Sequence, residues 1–574
     1  MPPRAVWSTR SATTADSPRA NRRPRQPIFN GWLGASGLLA LLVLAPIGAL
    51  AVTASAGSPG LWQELLAYVL PAALRDTLVL LVGVALLAGG IGTGTAWLVT
   101  AYEFPGRRIA DWALLLPLAV PTYIVAFAYL DLLHPIGPVQ TAIRALLGIE
   151  SPRDFRLPDI RSMTGCTILL GFVLYPYVYL TTRAIFLMQS ANLMDAARTL
   201  GVGRWSMFIR VGLPLARPAI AVGLSLALLE ALNDIGAAEF LGVRTLTVSI
   251  YTTWVTRSDL PGAAQISLAL VTLALALLAI ERYARRQRRY ANDAQQPRPA
   301  VPRRLRGLGA AGALAACAVS VGIGFLIPFV HLANQARMRI GFAGLSPAVV
   351  SETLSTVTLA LIATAITVGA GLVVAYAAHV SRGRTASRLR GAASIGYAVP
   401  GTVLAIGVLP IVTGIEALTD DAARRLLGAS TGLFMIGSGS ALVYAYGARF
   451  LALAAGALEA GFSRISPSLD AAARTLGEGA GGRLWRIHLP LVRPAAATAA
   501  LLVFVDVMKE LPATLILRPL GVETLATHLY GEAVRGTYED AAIAALLIVV
   551  AGLMPVVMLA RVSRARAADV DSLL

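Results

Sequence analysis

Residues 195–219 read DAARTLGVGRWSMFIRVGLPLARPA, and residues 471–495 read AAARTLGEGAGGRLWRIHLPLVRPA. In both, a proline (Pro214, Pro490) follows a glycine (Gly201, Gly477) at an offset of 13 positions. The two stretches lie 276 residues apart. Other matches occur in the same order. Thr77-Leu78 pairs with Thr353-Leu354 at that offset, and Ala119-Val120-Pro121 pairs with Ala398-Val399-Pro400 at 279. Gly242-Val243 and Thr245-Leu246 pair with Gly521-Val522 and Thr524-Leu525, also at 279. The chain is therefore one plan written twice in the same direction.

What surrounds the repeats sets the class. Of 574 residues, 56% are hydrophobic and 14% charged, with mean hydropathy +0.68. Soluble domains are about one-quarter charged, so a soluble enzyme and a disordered chain are both excluded. A helix needs about 20 apolar residues to cross a bilayer. Twelve segments qualify, near 31–55, 77–101, 112–133, 163–187, 217–237, 262–281, 307–330, 353–380, 391–414, 432–457, 493–514 and 539–560. The expected fold is an all-α polytopic membrane protein of two tandem six-helix repeats. We read a disordered tail (1–30), a first six-helix domain (31–281), an Arg-rich linker (282–306), a second six-helix domain (307–562) and a tail (563–574). The first apolar run is longer than a signal-peptide core, so it reads as a retained span.

The net charge is +18, and every basic residue except Lys509 is arginine. The arginines fall in short segments between spans, which argues against nucleic acid as a partner. Placing both termini in the cytoplasm puts 34 of the 48 arginines on that side, as the positive-inside rule requires. Both repeated loops then face the cytoplasm, and a pseudo-two-fold axis runs along the membrane normal. Cys166 and Cys317 sit in different apolar runs and read as small buried residues.

The repeated loops carry the functional signal. An alanine-rich stretch (Asp195, Ala196, Ala197; Asp470, Ala472, Ala473) favours a short helix. Gly201 and Gly477 end it. Leu213-Pro214 and Leu489-Pro490 open the next span. Small residues leave one face flat enough for another protein. This pattern resembles the EAA loop of type I ABC importer permeases, E-A-A-x-x-x-G-x9-I-x-L-P. Asp195 and Ala471 replace the family Glu, and Val211 replaces Ile in the first copy. The resemblance implies two permease subunits fused in the bacterial cytoplasmic membrane. It also implies two copies of a cytoplasmic ATPase docked on the loops, and an extracytoplasmic binding protein. The sequence has no P-loop, because the lone lysine is followed by Glu510. We expect no cofactor on this chain and no catalytic residue; ATP is used by a partner.

Ionisable residues within spans are substrate-pathway candidates. Glu230 and Asp234 recur as Asp506 and Glu510 at an offset of 276, each pair spaced to share one helix face. Four such carboxylates favour a cation; equally, they read as helix caps or partners of Lys509 and Arg518. No metal ligand set is assigned. The stretch Lys509–Thr514, with Leu517-Arg518-Pro519 and Thr524–Thr527, resembles ferric-iron importer permeases, as do Asn233–Gly236, Thr245–Thr247 and Ile465–Asp470. That resemblance implies Fe(III), which suits oxygen ligands. Fused permeases for thiamine or phosphonate compounds share the architecture. An ion-driven secondary transporter explains the twelve spans but not the paired loops.

Overall fold

The computed structural model describes residues 31–57, 62–188, 203–286, 302–381 and 383–571. The first half contains α1 (Gly31–Ser55), α2 (Leu70–Ala101), α3 (Arg107–Ala113), α4 (Thr122–Leu132), α5 (Met163–Met188), α6 (Leu213–Asn233), α7 (Gly236–Phe240) and α8 (Leu260–Arg286). The second contains α9 (Leu308–Val321), α10 (Ile327–Ala343), α11 (Pro347–Val380), α12 (Arg384–Ala393), α13 (Gly401–Leu427) and α14 (Ser440–Phe462). It continues with α15 (Pro467–Thr475), α16 (Leu489–Met508), α17 (Pro512–Leu517), α18 (Leu525–Arg535) and α19 (Tyr538–Asp571). Among the described residues, eleven helices are long and apolar enough to cross a membrane. A twelfth span forms if Arg107–Ala119 and Thr122–Leu132 count together; they meet at 92°. The bend falls at Pro121, which has no N–H to continue a helix. Hydropathy runs unbroken across this point, so the sequence reading made one straight span of it.

Two strands of two residues each supplement the helices. Tyr102–Glu103 (β1) pairs in parallel with Arg303–Arg304 (β2), fastening the end of residues 282–306 to the end of α2.

Within each half, small residues bring helices close. A Cβ on Gly92 of α2 would lie 2.7 Å from the Tyr175 carbonyl of α5. Gly371, 279 residues on, meets Ala454 of α14 in the same way. Such contacts replace the hydrophobic drive that lipid does not supply.

Each half also lends its first span to the other. α1 packs on α11, α12 and α13, while α9 and α10 pack on α2, α3 and α4. Prolines make the specific contacts. Pro46 in α1 cannot donate to Leu42, and the orphaned Leu42 carbonyl accepts the Tyr444 hydroxyl at 2.7 Å. In the second crossing a π-turn at Gly322–Leu326 precedes Pro328, and the Ile323 carbonyl accepts the Tyr129 hydroxyl at 2.8 Å.

One repeat match shifts in register. The Leu246 N–H donates to Thr77 Oγ1 and the Leu525 N–H to Thr356 Oγ1, both at 2.9 Å. Thr356, not Thr353, is therefore the structural counterpart of Thr77. A Thr-Leu pair one turn away misled the sequence comparison.

Candidate functional site

The four candidate carboxylates line one cavity of about 100 Å³ between the halves. They do not sit on two continuous helix faces. α6 ends at Asn233, and Asp234 turns extended to start α7: its carboxylate accepts the N–H groups of Ala237 at 2.7 Å and Ala238 at 3.3 Å. The Thr122 hydroxyl donates to it as well. α16 ends at Met508, and Glu510 repeats the arrangement. It accepts from the Ala513 N–H at 3.0 Å, the Thr514 N–H at 3.1 Å and the Thr514 hydroxyl at 2.9 Å. A carboxylate that satisfies the orphan donors of a helix start makes a break cheaper than continuation, and Pro512 forbids continuation outright. Asp234 and Glu510 thus hold the chain's shape around the cavity, the capping role the sequence left open.

Between them lies a residue that sequence reasoning missed as a site residue. Arg449 of α14 is 8% exposed and donates through Nη1 to Glu510 Oε1 and Asn233 Oδ1, both at 3.0 Å. Asn233 Oδ1 also accepts the Gly401 N–H at 2.7 Å. One network therefore ties the first half to the second. Gly401 is required by the close approach, since a Cβ there would lie 2.2 Å from Arg449 and 2.5 Å from Glu510. The available signal was a lone arginine inside an apolar run, which needs a buried acid. Tyr446, whose hydroxyl lies 2.6 Å from Thr514 Oγ1, supports the same corner.

The remaining cavity charges divide unevenly. Lys509 Nζ lies 2.8 Å from Asp506. Glu230 lines the cavity and makes no hydrogen bond or ion pair among the described residues. Both cations are matched by acids, and Glu230 is left to face the cavity.

The second repeated loop forms α15. Ser466 caps it, accepting the Ser468 N–H at 3.3 Å, and Pro467 takes the first position. Gly477 follows at φ +82°, where the Glu478 N–H returns to the Ala473 carbonyl at 3.0 Å. Ala473 is buried, Ala472 is exposed, and Leu476 and Trp485 beyond the helix are 83% and 66% exposed. An apolar surface therefore stands open beside α15. Asp470 points inward to His379 (2.9 Å) and Arg483 (3.1 Å). Burial opposes its charge, but the His379 hydrogen bond and nearby His488 and Arg483 hold its carboxyl below the ordinary range. Leu489-Pro490 opens α16 and Leu213-Pro214 opens α6, each behind a π-turn (Leu484–His488, Phe208–Gly212). Asp195, Ala196, Ala197 and Gly201 lie outside the described residues.

A doubled bundle of helices long enough to cross a membrane, closed around a charged cavity, has the architecture of a membrane transport permease. The family model for the binding-protein-dependent transport system inner membrane component matches twice, over residues 89–290 and 367–568, and the chain belongs to that family. Its fold is the all-α type I permease fold in tandem. The chain is similar to the Fe(3+)-transport system permease protein FbpB 2 of Haemophilus influenzae, 24% identical over 497 residues, 85% of this chain and 89% of that one. It is also similar to the sulfate transport system permease protein CysT of Escherichia coli, 28% identical over 217 residues, covering 38% of this chain and 75% of the relative. The molybdenum transport system permease protein ModB of Escherichia coli is 30% identical over 191 residues, covering 32% and 79%. Membership implies an ABC system with a separate ATPase and a substrate-binding protein.

Proposed function

We propose that this chain supplies both halves of the membrane pathway of an ABC importer for iron(III), with both termini and both repeated loops in the cytoplasm. Two ATPase copies dock there, one on α15 and its exposed Leu476 and Trp485, the other on the stretch from Asp195 to Gly201. Their closure on ATP drives the two loops together and swings the halves about the central cavity. The observation that carries the iron reading is the charge of that cavity. Arg449 and Lys509 are each paired with an acid, while Glu230 is not, so the free group facing a passing ion is a carboxylate. Hard oxygen donors suit Fe(III). The Fe(3+)-transport permease of Haemophilus influenzae also aligns across both halves, whereas the sulfate and molybdenum permeases align over about one half.

Those two relatives favour a second reading, an oxyanion held by Arg449 or Lys509 after release from its acid. The experiment is uptake into vesicles holding this chain and its ATPase, fed with radiolabelled ferric ion, sulfate or molybdate on the matching binding protein. Iron uptake that needs ATP and is lost in a Glu230→Gln, Asp506→Asn variant supports the first reading. Uptake of sulfate or molybdate with none of iron overturns it.

A further inference from the structure

Where α15 meets the ends of two neighbouring helices, away from the cavity, lies a cluster of titratable side chains. His379 ends α11, Asp470 lies in α15, and His488 closes the π-turn before α16. His379 Nε2 is 2.9 Å from Asp470 Oδ2, and His488 Nε2 is 3.1 Å from Asp470 Oδ1. The donor atoms of all three lie within 4.8 Å of one another. His488 is 0% exposed, yet neither of its ring nitrogens makes a hydrogen bond among the described residues. Its Nε2 approaches Asp470 without the alignment a hydrogen bond needs. A buried ring nitrogen without a hydrogen-bond partner is costly, so another group is expected to use its lone pair.

We propose that His379, Asp470 and His488 form a binding site for a divalent transition-metal ion of the zinc class. Two imidazole nitrogens and one carboxylate oxygen are a borderline donor set for such ions. Bonds of about 2.0–2.1 Å to a tetrahedral ion place ligand atoms roughly 3.3 Å apart; His379 Nε2 and Asp470 Oδ2 stand 2.9 Å apart, and the third ligand atom lies within 4.8 Å of both. Aromatic rings exclude water on the inner side: Phe462 stacks on His379 at 5.3 Å, and Tyr376 lies 5.5 Å from His488. Arg483, the charged group facing the cluster, donates to Asp470 Oδ1 at 3.1 Å. It fixes the carboxylate through Oδ1 as outer partners fix metal ligands, and an ion would replace the contact that Oδ2 now makes with His379. His379 is 11% exposed at its side chain and marks the open side, where a water would complete the set. The corresponding positions of the first half are Thr100, Met194 and Gly212, so the site is not doubled. A bound ion would tie α15 to the ends of α11 and α16.

The test uses the purified full chain in detergent micelles, stripped with chelator and titrated with Co2+ and then Zn2+. One equivalent of Co2+ with visible d–d bands, displaced by Zn2+, is expected. Loss of an outer partner costs about 10–100-fold in affinity; His379→Gln and His488→Gln should each cost at least that. Asp421→Asn, an exposed carboxylate near the end of α13, should change nothing. Unchanged Co2+ binding in the His379→Gln, His488→Gln double variant overturns the proposal. So does absence of binding by native chain that remains monodisperse and helical. Neither readout depends on iron transport.

Discussion

The two halves share a frame and differ in what fills it. At the loop end of the first, Trp97 packs against Phe186 at 5.1 Å and occupies the space over Gly212, where a Cβ would lie 2.7 Å from the ring. At the same place in the second, Tyr376 packs against Phe462 at 5.8 Å, and His488 stands where the first half has Gly212. An apolar plug has been exchanged for a polar cluster of Asp470, His379, His488 and Arg483. At the cavity the asymmetry recurs. Asp234 is steadied by a neutral hydroxyl, Thr122, while Glu510 is steadied by the charge of Arg449. Duplication preserved the backbone breaks and helix caps that shape the protein, and left the electrostatics of each copy to diverge.

The largest effect should come from the charged side of this contrast. Arg449→Ala leaves Glu510 buried without its counter-ion and should destabilise the protein by about 3–5 kcal/mol. Thr122→Ala, its first-half counterpart, should cost about 1 kcal/mol. Thermal unfolding of both variants in micelles checks the ratio, and equal losses would break the contrast.

Next in size is Gly477→Val. Its space is open, but φ +82° is strained for any β-branched residue, at about 1–3 kcal/mol. The expected outcome is ATP hydrolysis by the reconstituted complex without substrate movement, with membrane insertion unchanged. Measuring both rates in one preparation decides it.

Where the halves agree, variants should agree. Thr77→Ala and Thr356→Ala each remove the acceptor of one buried N–H and should each cost about 1 kcal/mol. Matched shifts in melting temperature sharpen the assigned register; Thr353→Ala, which loses only a bond within its own helix, should have less effect.

The smallest effect is a pH dependence confined to the second half. His528 bonds to Glu352 at 3.0 Å, and that bond, against burial, holds the imidazole pKa above its ordinary 6.5. A raised pKa in the folded state adds stability that is complete below the unfolded value and is lost as pH rises through the folded one. The melting-temperature gap between native protein and His528→Gln should therefore narrow from pH 6 to pH 9. The first half has Ser249 and Ala73 at these positions and can contribute no such term.

Much of this architecture was legible in the sequence, and the limits were physical. Apolar length marked the spans because the bilayer imposes it. The breaks at Asp234 and Glu510 were hidden because hydropathy continues through them, although Pro512 was a visible stop. Arg449 stood out only as an arginine in the wrong place. Its partners come from helices distant in sequence, and no local pattern encodes them. The crossing of α1 and α9–α10 to opposite halves was unreadable for the same reason, since it depends on which carbonyl each proline orphans. His488 looked like one of five scattered histidines until folding set it beside Asp470.

That crossing of first spans has a mechanical consequence. The halves are clasped like two hooks, so severing the polypeptide between residues 286 and 302 should leave both fragments migrating as one particle. Rocking of one bundle would drag a borrowed strut of the other along with it, so that, on the proposed docking of an ATPase at α15, a push there would move the whole protein together.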